Sequence, residues 1–154
     1  MKRKSLVWVA AGLSIVCSAA AAMAQDLGYW RASSKTAHDI TGDIGIGENN
    51  LLINFLSYNI ARAKQLTPPE VSTVFDTDSA GTKRANLYGL TIPGTKKFLH
   101  KNTLCGSDDV KWMVTYVDGN TLQLALFSGE TAPTFTPDAM ANATNLCGTF
   151  TYTR

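Results

Sequence analysis

His38 and His100, three cysteines and a few close-set carboxylates are the side chains in this 154-residue chain best suited to chemistry. His38 stands beside Asp39, and His100 lies in the basic stretch Lys96-Lys97-Phe98-Leu99-His100-Lys101. Either imidazole would serve a serine as general base if a hydroxyl and a carboxylate stood within hydrogen-bond reach. No serine occupies a Gly-x-Ser-x-Gly elbow, and both histidines read as solvated surface residues. The close acid pairs are Asp108-Asp109 and Asp76-x-Asp78. Adjacent side chains in extended backbone point to opposite sides, which suits neither a shared proton nor a shared cation. Asp76-Thr77-Asp78-Ser79-Ala80-Gly81 opens like a calcium loop, but Leu87 stands where the closing acid belongs, so it reads as a polar turn. HExxH and Walker-type motifs are absent. The expectation is a protein that is not an enzyme, with no catalytic residue, metal ligand or cofactor.

The cysteines carry a clearer message once the compartment is read. Met1-Lys2-Arg3-Lys4 is cationic, the following run to Ala22 is apolar, and Ala22-Met23-Ala24 places small residues where a signal peptidase cuts. This predicts a signal peptide over 1–24, a single β domain over 25–154 and a periplasmic or secreted protein. The apolar run is too short for a spanning helix, so no stable membrane insertion is expected after cleavage. Cys17 offers a lipid-anchor alternative, but Val16 stands before it where a small residue is wanted. In an oxidising compartment Cys105 and Cys147, with neither CxxC spacing nor a Cys/His cluster, read as one disulfide. The chain-entropy model gives such a loop up to ~4 kcal/mol. The whole chain has 14 Lys+Arg against 12 Asp+Glu, and losing Lys2, Arg3 and Lys4 turns +2 into −1. A near-neutral surface argues against nucleic acid and anionic membranes as partners.

The elements that must position these groups are strands. Val110, Trp112, Val114 and Tyr116 alternate along one strand, and Leu122, Leu124 and Leu126 along the next. Asp118-Gly119-Asn120 between them is a hairpin signal. Trp112, Val114 and the three leucines are expected to share the central core. A last strand carries Phe150 and Tyr152, and Asn86–Ile92 gives another. From Asp26 to Lys35 the chain reads as a lead-in with Tyr29 and Trp30 plugging one end of the core. Thr36–Ile46 alternates as a strand with glycine bends at Gly42 and Gly45. Residues 52–66 fit either a helical face or a hairpin around Leu56-Ser57. Pro68-Pro69 ends that element, Glu70–Lys83 reads as a polar loop, and Asp138–Ala143 has room for one helical turn. Short strands with turn signals predict an all-β fold, a small antiparallel barrel or sandwich of about six to eight strands.

Trp30-Arg31-Ala32-Ser33-Ser34, Ile40-Thr41-Gly42-Asp43-Ile44, Asn102-Thr103-Leu104-Cys105-Gly106 and Leu146-Cys147-Gly148-Thr149-Phe150-Thr151-Tyr152 together resemble a group of small exported bacterial β-proteins of unknown function. The resemblance rests on fold-forming residues and brings no assigned active site. In architecture the chain is loosely similar to periplasmic β-barrel inhibitors and lipocalin-like binders, a likeness of fold and not of site. The functional expectation is an exported domain that binds a small molecule, an envelope component or a protein. Trp30, Tyr88, Trp112 and Tyr116 are the candidate ligand-facing aromatics. The alternatives are a small hydrolase built on His38 or His100, and an envelope-structural protein.

Overall fold

The computed structural model describes residues 25–78 and 84–154; the leader with Cys17, and the end of the 76–81 loop, lie outside the described residues. Eight strands follow one another: β1 Gly28–Ala32, β2 Ile44–Ile46, β3 Asn50–Ile53, β4 Leu56–Gln65, β5 Arg84–Ile92, β6 Val110–Asp118, β7 Thr121–Ser128 and β8 Leu146–Thr153. Each pairs antiparallel with the next, and β8 returns to β1 through Arg31 opposite Thr153 and Ala32 opposite Tyr152. The result is a closed up-and-down barrel, so the barrel is the alternative realised and not the sandwich. The Asp-Gly signal acts as read: Gly119 takes φ 57° and turns β6 directly into β7.

Two apolar layers stabilise the wall. Inside the barrel lie Trp30, Ile44, Tyr88, Met113, Leu122, Leu124, Leu126, Phe150 and Tyr152. A second cluster covers the outer face of β5–β7, where Leu87, Val114, Tyr116, Ala125 and Phe127 meet Val71, Val74 and Phe135. The covering helix α1 (Pro68–Phe75) begins at a proline pair whose missing N–H groups cost nothing in the first turn. Its cap is reciprocal: the Thr67 N–H donates to Glu70 Oε2 at 2.9 Å while the Thr67 hydroxyl faces the first turn. A shorter α2 (Pro137–Ala141) packs beside it.

Several expectations change here. Trp112 and Val114 do not share the core of Leu122, Leu124 and Leu126; β6 turns Met113 and Val117 inward and gives Trp112, Val114 and Tyr116 to the outer layer. Both faces of β6 are covered, so alternation cannot mark the inner one, and a register shift between Val110 and Trp112 leaves Val110 with the inner set. Within Thr36–Ile46 only Ile44–Ile46 is strand; Ala37–Thr41 forms a π-helical turn ended by Gly42 at φ 61°. Residues 52–66 take the hairpin alternative, but its turn is Asn54-Phe55 and not Leu56-Ser57. Glu70–Lys83 is not wholly loop, since α1 runs through Phe75. Tyr29 does not plug the core, being 81% exposed.

Cys105 and Cys147 form the expected disulfide, with Cα atoms 4.7 Å apart. Cys147 lies in β8 while Cys105 lies in the β5–β6 connection, so the bond ties that long connection to the wall. The leucines flanking the cysteines are not equivalent: Leu104 is buried and Leu146 is exposed.

Candidate functional site

Among the described residues no helix covers the outer faces of β1–β3 as α1 covers those of β5–β7. One cross-strand rung there places Tyr29 opposite Gly45 and Gly45 opposite Leu52. A Cβ on Gly45 would sit 3.2 Å from the Tyr29 ring and 3.3 Å from Leu52 Cδ1, so the bare backbone is what lets those side chains close over it. Tyr29, Gly45, Leu52, Phe55, Leu99 and Asp43 line an open groove of about 640 Å³. Leu99 arrives from the β5–β6 connection, and Asp43 follows the π-helical turn.

Phe55 is the anomaly of this groove. The turn that joins β3 to β4 holds Asn54 at φ 50° and Phe55 at φ 64°. A two-residue hairpin of this kind favours glycine at the second place, because a side chain there crowds the backbone. Phe55 is also 101% exposed, so its ring gains nothing from burial in return. Strain with no local compensation marks a position retained for another reason.

Asp43 supplies the only charged side chain among the described residues lining the groove. Its Oδ1 accepts the Ala32 N–H at 2.9 Å, and among the described residues it forms no ion pair. Thr41 also borders the groove, but its hydroxyl is already engaged by the Ala37 and Gly42 carbonyls and, at 2.7 Å, by the Tyr152 hydroxyl. Burial is the chief cause that raises the Tyr152 phenol above its ordinary range.

A second polar cluster sits at the opposite end of the barrel. Asp26 is 1% exposed, and its Oδ2 accepts from the Thr115 hydroxyl at 2.6 Å, the Tyr88 hydroxyl at 2.8 Å and the Asn86 amide at 3.2 Å. Its backbone carbonyl accepts the Trp30 indole N–H at 2.8 Å. Burial first, and then the Asp26 charge, push the Tyr88 phenol well above its usual range. Asp26 Oδ1 has no hydrogen-bond partner among the described residues. This cluster pins the lead-in to the barrel wall.

The four sequence-predicted aromatics go elsewhere than the groove. Trp30 and Tyr88 are buried inside the barrel. Tyr116 is buried in the outer layer, stacked on Phe75 with ring centroids 5.8 Å apart. Trp112 is half-buried beside the same layer, its indole N–H donating to the Gly129 carbonyl at 3.0 Å. Both histidines are exposed; His100 Nδ1 meets the Asp39 backbone carbonyl at 3.0 Å, while the Asp39 carboxylate pairs with Lys35. Sequence reasoning missed Tyr29, Asp43 and Phe55 as a set, and missed Asp26. The one signal for Phe55 was an aromatic in a turn without glycine.

The described residues contain no cluster of three or more His, Cys, Asp and Glu side chains arranged to hold a metal ion, and none of their helices is long and apolar enough to cross a membrane. Compared with protein-family models, curated proteins and solved structures, the chain matches none of them.

Proposed function

We propose that this protein is an exported, non-enzymatic binding domain that takes a small molecule in the groove on the outer face of β1–β3. The barrel interior is filled by side chains, so a ligand is left the outer wall, where the closed sheet gives a rigid support. The observation that carries the reading is Phe55, fully exposed on a left-handed backbone. The groove's volume of about 640 Å³ lies within the ordinary range for small-molecule sites. Its apolar floor with one carboxylate is the usual composition of such sites. For the hydrolase alternative, neither imidazole has a hydroxyl and a carboxylate partner together among the described residues. The disulfide and the leader pattern support export.

Native mass spectrometry of the mature protein, purified from its own compartment, tests this. The expected result is a small-molecule adduct on the wild-type chain that is lost in F55G. An adduct retained undiminished in F55G, or a wild-type chain that carries none, would overturn the assignment.

A further inference from the structure

We infer that the groove selects an organic cation: a quaternary or alkylated ammonium set against Asp43, with its apolar body against Tyr29 and Phe55. The inference rests on the groove being a ligand site and adds the chemistry of what enters it. Among the described residues Asp43 is the only charged side chain lining the groove; Arg31, one place beyond the Trp30–Ile44 pair and so beside Asp43 on the sheet, does not line it and forms no ion pair with it. An anion in the groove would therefore meet a carboxylate and no cation in the lining. A neutral ligand would gain nothing from Asp43 beyond a hydrogen bond.

The carboxylate is pre-positioned for this. The Ala32 N–H donating to Oδ1 fixes the side chain without neutralising it. The aromatic partners fit as well, since a cation is drawn to the negative face of a tyrosine or phenylalanine ring. Tyr29 is held across the bare Gly45 backbone, and the residue is 81% exposed. Phe55 is held outward by its turn. Two solvent-facing rings make little sense as a folding device, because each leaves exposed what folding would bury.

Three probes of one shape separate the possibilities: choline, its uncharged isostere 3,3-dimethylbutan-1-ol, and the anion 3,3-dimethylbutanoate. Each is titrated into the mature protein while the ring resonances of Tyr29 and Phe55 are followed by NMR. Choline should shift both rings and bind at least tenfold tighter than the neutral probe, with the anion weakest. In D43N the amide oxygen still accepts the Ala32 N–H, so the fold is kept while the charge is lost. The choline preference should then fall to near onefold. F55A should weaken choline severalfold. If the neutral or anionic probe binds as tightly as choline, cation selectivity is wrong and the groove reading stands. If none of the three moves either ring, both are wrong.

Discussion

The Tyr88 hydroxyl donates to Asp26 Oδ2 at 2.8 Å, joining a residue of the lead-in to the middle of β5 across 62 positions of sequence. Thr115 and Asn86 donate to the same oxygen, so one carboxylate gathers three buried donors. Removing it strands all three. D26A should therefore cost about 3 kcal/mol or more in urea unfolding, at roughly 1 kcal/mol or above per unsatisfied buried donor. D26N, which keeps one acceptor oxygen, should cost less. A loss below ~1 kcal/mol in D26A would show that the lead-in is not anchored by this group.

Alkaline pH attacks this cluster and the separate Thr41–Tyr152 contact. The Tyr88 and Tyr152 phenols are both raised above their ordinary value, so the neutral forms are favoured in the folded state. That stability is fully present below the unfolded pKa of about 10 and is lost as pH rises through the folded values. Stability should fall steeply above about pH 10. Phenolate absorbance at these tyrosines should appear together with loss of the barrel's circular dichroism. Phenolate formation at both sites with the fold intact would contradict the geometry.

F55G should make the protein more stable and less useful. Relief of the left-handed strain is worth about 1 kcal/mol, partly offset by the extra freedom glycine gives the unfolded chain. Thermal melting of F55G should rise by a few degrees. A fall would mean that the ring contributes to the fold.

Replacing both cysteines by serine should lower stability by up to ~4 kcal/mol, the entropy of a loop closed over 42 positions of sequence. Ligand occupancy at low temperature should survive, because neither cysteine lines the groove. Two reactive thiols in the native exported protein would remove the basis for this.

L124A should cost about 2–5 kcal/mol, since Leu124 is buried among the interior set. Trp112, only half-buried in the outer layer, should tolerate truncation better. Equal losses would place Trp112 back inside the core.

The hairpin from Val110 to Ser128 was legible because alternation and Asp-Gly agree there. Its inward face was not, because α1 and Phe135 cover the other side and both sets of residues are apolar. Ile40, Gly42 and Ile44 imitate a strand's period, yet the chain coils through Thr41 before β2 begins. Asn54-Phe55 carries no glycine to announce its turn, so the turn of the β3–β4 hairpin falls two residues earlier than the local pattern suggests. Asp26 could not be found from its neighbours, as its partners lie 60, 62 and 89 positions away. Local pattern reveals local pairing; long-range polar contacts and strained turns leave no periodic trace.

The three-residue length of β2 has a dynamic consequence. Strands of five, three and four residues form the β1–β3 side of the wall, against nine, eight and eight in β6–β8. Sub-global opening begins where backbone ladders are shortest, so amide protons of Ile44–Ile46 should exchange with solvent well before those of β6 and β7. The groove is laid over that seam. Whatever occupies it would hold together the segment most prone to breathe, and slowed hydrogen exchange in β2 would record its arrival.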